Sequence, residues 1–136
     1  MKLFQQTLSL LHIKRYIVTL KKLINPSLKQ MSSSSIAMKK HLVYVTQPIP
    51  REALQIFASD KNIELIVNER VPLHRKTLLD MVRNCDGLFC TLNEKIDVEL
   101  LNESKQLKVI ATSTVGYDHI DLKECAQRNI PVGWLI

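Results

Sequence analysis

The stretch from Leu107 to Cys125, LKVIATSTVGYDHIDLKEC, contains a strand, a loop and the start of a helix in direct succession. It opens with the apolar run Leu107 to Ala111, which is typical of a buried strand. A polar loop with a single glycine follows. Asp121 then stands where a side-chain oxygen can cap the first turn of a helix. The stretch therefore predicts a strand that passes through a Gly-containing loop into a helix.

The same alternation of apolar runs and amphipathic segments extends from His41 to the end of the sequence. The predicted strands are Leu42 to Thr46, Ile63 to Val67, Gly87 to Cys90, Leu107 to Ala111 and Pro131 to Trp134. The predicted helices are Glu52 to Ser59, which follows Pro50 at a first helical turn, His74 to Asn84, Asp97 to Glu103 and Asp121 to Arg128. A repeated strand–helix rhythm implies a parallel sheet covered by helices. The sequence thus predicts an α/β fold, a flavodoxin-like open parallel sheet of about five strands with flanking helices.

Ligands of an open parallel sheet bind beyond the carboxyl ends of its strands. Three predicted loops leave such ends: Thr46 to Ile49, Thr91 to Lys95, and Thr112 to His119. In the third loop, Gly116 has no side chain, which suits a place where the backbone must approach another group closely. The amides around Val115 and Gly116 can form a concavity that suits a carboxylate or phosphate oxygen. On local chemistry alone, an ordinary Gly-containing turn explains these residues about equally well.

Composition and charge place limits on the class of protein. The chain has 136 residues, 46% of them hydrophobic and 24% charged, as in one ordinary globular domain. Its net charge of +6 arises from 19 basic and 13 acidic residues. Residues 1–40 hold eight of the bases and no acid, so the other 96 residues carry 11 bases against 13 acids, net −2. That balance argues against a nucleic-acid-binding domain.

Residues 1–38 form a basic leader that differs from the rest of the chain. Apolar residues recur there at helical spacing, with bases on the flank and opposite face, and Pro26 ends the pattern. The apolar positions are Leu10, Ile13, Ile17, Leu20 and Ile24. A basic, Ser-rich, acid-free segment of this kind predicts a mitochondrial targeting leader. The alternative is that the leader is untranslated, with translation of a cytoplasmic protein starting at Met31 or Met38, or that it is simply disordered. The longest stretch free of Lys and Arg before Lys14 is too short for a membrane span.

The side chains that most often carry chemistry give few candidates. Cys85, Cys90 and Cys125 cannot all pair with one another, and their spacing does not indicate a zinc site. We expect them to be buried free thiols in a reducing compartment. His119 stands beside Asp118 at a helix entrance, where a capping or surface role is favoured over acid–base chemistry. A dinucleotide-binding fingerprint needs three glycines in six residues, whereas the only glycines are Gly87, Gly116 and Gly133.

Residues 41–134 resemble the opening part of the D-isomer-specific 2-hydroxyacid dehydrogenases, in particular their glyoxylate and hydroxypyruvate reductases. Four segments carry the resemblance: VYVTQPIPREAL at Val43 to Leu54, GLFCTLNEKIDVELL at Gly87 to Leu101, LKVIATSTVGYDHIDLKEC at Leu107 to Cys125, and RNIPVGW at Arg128 to Trp134. The resemblance implies a two-domain, usually homodimeric enzyme. It also implies hydride transfer from NADPH or NADH to the C2 carbonyl of a small 2-keto acid. Residues 39–136 would then be part of its substrate-binding domain.

The resemblance also implies roles for individual residues. The backbone N–H groups of Val115 and Gly116 would hold the substrate carboxylate, and Leu92 would lie in the neighbouring cleft. The family's Gly-rich cofactor loop and its catalytic Arg, Glu and His fall beyond the residues matched here, so we expect no catalytic, cofactor-binding or metal-binding residue within this chain. The expected function is that of a truncated reductase that is inactive alone. The alternative is a non-enzymatic module that binds a small carboxylate or pairs with a full-length relative.

Overall fold

A computed structural model of the protein describes Val18 and residues 39–135, with Leu135 described through its backbone only. Five strands and four helices alternate along it. The strands are β1 (His41–Val45), β2 (Ile63–Val67), β3 (Gly87–Cys90), β4 (Val109–Val115) and β5 (Val132–Leu135). The helices are α1 (Arg51–Ala58), α2 (Arg75–Val82), α3 (Val98–Glu103) and α4 (Leu122–Gln127). The predicted elements are confirmed in number, order and type.

All strand pairs are parallel, and the strand order is β2-β1-β3-β4-β5. This is the order of the flavodoxin-like sheet, so the predicted fold class is confirmed. The order along the sheet reverses at β1, which lies between β2 and β3. Helices cross over between successive strands, as parallel pairing requires. The carboxyl ends of β1, β3 and β4 are therefore neighbours on one edge of the sheet.

Helices cover both faces of the sheet and create two cores. The larger core contains Leu78 and Val82 of α2, Leu100 of α3 and Cys125 of α4, packed against Ile110 of the sheet. The smaller core lies under α1 and includes Ala53, Phe57 and Phe89. The rings of Phe57 and Phe89 meet edge to face with centroids 6.4 Å apart. Both cores fix the positions of the strand ends.

Local signals in the sequence define the helix starts. Asp97 Oδ1 accepts a hydrogen bond from Leu100 N–H at 3.1 Å, and Asp121 Oδ1 accepts one from Glu124 N–H at 2.9 Å. Pro50 precedes α1, and its carbonyl accepts from Ala53 N–H at 2.9 Å. Asp121 therefore caps α4 as predicted.

The end of β4 differs from the prediction. We expected the strand to stop at Ala111 and a loop to run from Thr112, but β4 continues to Val115. The polar side chains of Thr112 and Thr114 hid this extension, because they interrupt the apolar run. The loop begins at Gly116 instead.

Asp86 anchors the opposite, amino-terminal edge of the sheet. Its carboxylate accepts from Leu42 N–H at 3.0 Å and pairs with Lys108 Nζ at 3.1 Å. Burial alone would raise the pKa of Asp86, but the Leu42 hydrogen bond and the Lys108 and His41 charges outweigh it, and the pKa is lowered. Asp86 thus stays ionised while it joins the entries to β1, β3 and β4.

Cys85, Cys90 and Cys125 are free and buried, as predicted. The leader interpretation of residues 1–38 lies outside the described residues except at Val18, which is helical and exposed. None of the helices in residues 39–135 has the length and apolar character that a membrane crossing requires. Within the same part of the chain, no three potential metal ligands come together.

Candidate carboxylate-binding site

The three residues predicted to contact a substrate all lie at the carboxyl edge of the sheet. Val115 is the last residue of β4 and is 77% exposed, and Gly116 follows it. Leu92 lies two residues beyond the end of β3 and is 65% exposed. Because β3 and β4 are adjacent and parallel, their loops leave the sheet side by side. The fold therefore places both loops next to the same volume of solvent.

Gly116 is required by its backbone conformation. Its φ is +83°, a left-handed value that glycine adopts without strain. A Cβ at this position would meet nothing within 4 Å. The expectation that the backbone approaches another group here is thus not met among the described residues. The open space instead leaves the loop accessible to a ligand.

A β-bulge sits immediately before this glycine. Ala111 pairs with Gly133 and Val115 pairs with Leu135, so four residue steps of β4 face two steps of β5. A bulge redirects the strand and is frequent next to functional sites. Here it takes residues 112–114 out of regular pairing with β5 just before the candidate N–H groups.

A chain of polar side chains runs beneath the loop. Thr112 is fully buried, and its Oγ1 lies 2.8 Å from Thr114 Oγ1 and 3.1 Å from His119 Nε2. Burial lowers the pKa of His119, while the negative charges of Glu94 and Asp118 act to raise it and only partly offset that effect. The neutral imidazole is therefore favoured. The expected capping or surface role of His119 is replaced by a contact inside the loop.

Glu94 connects the ends of β1 and β3. Its Oε2 atom accepts from the Thr46 hydroxyl at 2.9 Å, from Thr91 N–H at 2.7 Å and from the Thr91 hydroxyl at 2.9 Å. The residue is only 8% exposed. Three donors on one oxygen compensate for burying a carboxylate. The loop that carries Leu92 is thereby fixed to the end of β1.

An aromatic pair borders the other side of the site. Tyr117, directly after Gly116, meets Trp134 of β5 with ring centroids 4.8 Å apart at an interplanar angle of 62°. Edge-to-face contacts of this kind contribute about 0.5–1.5 kcal/mol beyond area burial. Trp134 is the single tryptophan of the chain, so it reports optically on this loop.

A pocket of about 470 Å³ opens beside the loop but does not include the candidate residues. It is lined by Lys95 to Glu99 and Asp118 to Asp121. Four of these side chains are acidic and one is a lysine. A small anion is repelled by such a lining. The candidate N–H groups near Gly116 lie outside this acidic lining.

Sequence reasoning did not find the buried polar residues of this edge. Nothing in the sequence pattern marked Glu94, and His119 was expected to have a capping or surface role. A threonine at the end of each of β1, β3 and the apolar part of β4, namely Thr46, Thr91 and Thr112, was the available signal. Three hydroxyls at neighbouring strand ends indicate a shared polar layer there.

The fold and this edge together define a class: flavodoxin-like α/β domains with a ligand loop at the carboxyl ends of the strands. Residues 43–134 match the family model of the D-isomer specific 2-hydroxyacid dehydrogenase catalytic domain. The chain belongs to this family. The predicted family is thus confirmed.

Individual relatives agree with the family assignment. Glyoxylate reductases of Thermofilum pendens and Thermococcus litoralis are each 38% identical, over 95 and 93 residues, covering 70% and 68% of this chain. The crystal structure of the TT0316 protein of Thermus thermophilus superimposes with a TM-score of 0.63 at 36% identity over 67% of this chain. The match covers 28% of each of those two reductases and 29% of the Thermus protein. This chain therefore corresponds to less than a third of their lengths.

The described residues do not fit a nicotinamide dinucleotide. Gly87 and Gly133 lie inside β3 and β5, and Gly116 is the only glycine in a strand-to-helix loop of residues 39–135. A pyrophosphate seat needs several closely spaced glycines at a helix N-terminus. The glycines of residues 39–135 therefore do not form a pyrophosphate seat.

Proposed function

We propose that this chain supplies the substrate-carboxylate site of an NAD(P)H-dependent reductase that converts a small 2-keto acid, such as glyoxylate or hydroxypyruvate, into a D-2-hydroxy acid. The observation that carries the proposal is the left-handed, half-buried Gly116, which directly follows the exposed end of β4 at Val115 and would have open space around a Cβ. The similarity of the chain to glyoxylate reductases supports the proposed class of substrate. Residues outside those described would supply hydride transfer and proton exchange.

The proposed task of Val115 and Gly116 is to bind and orient the substrate. Backbone N–H groups donate to a carboxylate, and such charge-assisted bonds are roughly twice as strong as neutral ones. They also do not change charge with pH. A carboxylate held at one end leaves the adjacent C2 carbonyl in a fixed direction, which lowers the entropic cost of reaction.

Leu92 would select for small substrates from the facing loop. Its side chain is largely exposed in the described structure, and Glu94 fixes the backbone of its loop through Thr91. An apolar side chain at this place packs against the short carbon chain of a keto acid but offers no hydrogen bond to it. Within this proposal, the 136 residues on their own bind the carboxylate and do not catalyse reduction.

Trp134 fluorescence tests the proposal. Glyoxylate should change the emission of the full chain in a saturable way, because Trp134 contacts Tyr117 beside Gly116. Glycolaldehyde is the matched control, since it keeps the aldehyde and lacks the carboxylate. Gly116→Ala should weaken glyoxylate binding, since alanine is strained at positive φ by about 1 kcal/mol. Equal responses to both compounds, or no saturation by glyoxylate, would reject the carboxylate site.

A further inference from the structure

His119 contacts both loops of the candidate site through different atoms. Its ring Nε2 lies 3.1 Å from the Oγ1 atom of Thr112. Thr112 belongs to β4, the strand that leads to Gly116. Its backbone carbonyl accepts a hydrogen bond from Ile96 N–H at 2.8 Å, in the segment that follows Glu94. One residue therefore joins the loop after β3 to the loop after β4.

The connection between the loops is reinforced next to His119. Asp121 N–H donates to the Ile96 carbonyl at 2.9 Å, so Ile96 is bonded on both sides. Ile96 and Ile120 consequently form an isolated parallel bridge outside the main sheet, and both are buried. This small bridge fixes the backbone of His119 and leaves its side chain to act on β4.

Thr112 is the point at which the His119 ring acts. Its hydroxyl has three polar neighbours: His119 Nε2, Thr114 Oγ1 and the thiol of Cys90. A hydroxyl offers one donor and two acceptor sites, so these neighbours can satisfy it completely. Loss of the imidazole would leave a buried hydroxyl with an unmet bond. The end of β4 that follows Thr112 pairs irregularly with β5 and is the backbone nearest to this change.

We propose that His119 is a positioning residue for the carboxylate loop: its ring, through Thr112 and Thr114, holds the bulged end of β4 so that the N–H groups of Val115 and Gly116 face the ligand. The inference rests on the proposed function for its ligand. The imidazole touches no substrate in this account. It fixes the loop by occupying the hydrogen-bonding site beneath it.

Variants of His119 in the full chain test this role. His119→Leu removes the polar contact, whereas His119→Gln retains an amide that can bond to Thr112. The matched control is His74→Leu, because His74 is exposed and its side chain does not cap α2. Thr112→Val removes the same contact from the other partner and keeps the side-chain volume, so it serves if His119→Leu fails to fold.

Two readouts are measured by NMR on each variant. The first is the dissociation constant for acetate, a simple carboxylate probe, followed at the Gly116 amide. The second, recorded without ligand, is the order parameter of that amide. We expect His119→Leu and Thr112→Val to weaken acetate binding about five- to tenfold, the equivalent of one lost hydrogen bond. The order parameter should drop from about 0.85 to below about 0.6. His119→Gln and His74→Leu should resemble the wild type in both.

The outcomes separate this inference from the proposed function. If the wild type does not bind acetate at Gly116, the proposed function is wrong, and the order parameters still decide whether His119 holds the loop. If the wild type binds acetate and folded His119→Leu binds it equally with an unchanged order parameter, the positioning role is wrong. Failure of His119→Gln to restore both readouts would also contradict it.

Discussion

Glu94 Oε2 lies 2.9 Å from the hydroxyl oxygen of Thr46, although the two residues are 48 positions apart in the sequence. Thr46 directly follows β1, and Glu94 lies in the loop after β3. The same carboxylate oxygen also accepts two hydrogen bonds from Thr91. A single buried atom therefore joins the two strand ends that meet where the strand order reverses.

Glu94→Ala should destabilise the chain considerably. The substitution leaves Thr91 N–H and two threonine hydroxyls buried without their acceptor, at a cost of about 2–4 kcal/mol in the free energy of unfolding. Urea denaturation measures this loss. The control is Glu99→Ala, whose exposed carboxylate only pairs with Arg75 and should contribute less than about 1 kcal/mol. Equal effects of the two substitutions would contradict the role given to Glu94.

The Asp86 carboxylate should make stability depend on acid pH. Its pKa lies below the ordinary 3.8, so its contribution is complete above about pH 3.8 and is lost as the pH falls through the lower folded-state pKa. Asp86→Asn should lower the free energy of unfolding by about 1–2 kcal/mol at neutral pH, and this difference should shrink on acidification. Urea unfolding across that range tests it, with exposed Asp80→Asn as the control. If the difference in the free energy of unfolding between the wild type and Asp86→Asn grows towards low pH, this prediction is wrong.

The three thiols should resist alkylation while the chain is folded. Burial raises the pKa of Cys85 and Cys90 to about 12 and that of Cys125 to about 11, so little of the reactive thiolate is present. Iodoacetamide labelling at about pH 8, followed by mass spectrometry, should be slow in buffer and fast in concentrated urea. Rapid labelling in buffer would show that the core described here opens readily.

The 136 residues on their own should not bind NADPH or NADH. The sequence has three glycines, separated by 29 and 17 positions, and none of the loops in residues 39–135 gathers them for a pyrophosphate. Titration of NADPH while following its own fluorescence measures binding, with a dinucleotide-binding dehydrogenase as the positive control. A saturable increase in NADPH fluorescence on adding this chain would mean that the chain binds the dinucleotide without a Gly-rich loop.

Most of the fold could be predicted because local signals define each element. Apolar runs mark the strands, and Asp97 and Asp121 cap the helices that follow the two site loops. The end of β4 could not be predicted, since Thr112 and Thr114 read as loop residues until their hydrogen bonds are known. Nor could the environment of Glu94 be predicted, because its partners Thr46 and Thr91 follow two different strands. Sequence patterns report which face is apolar, whereas a buried polar contact depends on the register between strands.

Amide chemical shifts of the full chain titrated with acetate test the central claim most directly. We expect saturable shifts at Val115 and Gly116, smaller shifts at Leu92, and none along the acidic pocket at Asp97 and Asp121. Acetamide, the uncharged analogue, should produce no such shifts. Saturation centred on the acidic pocket, or the absence of any saturable shift at Gly116, would contradict the assignment of this loop as the carboxylate-binding site.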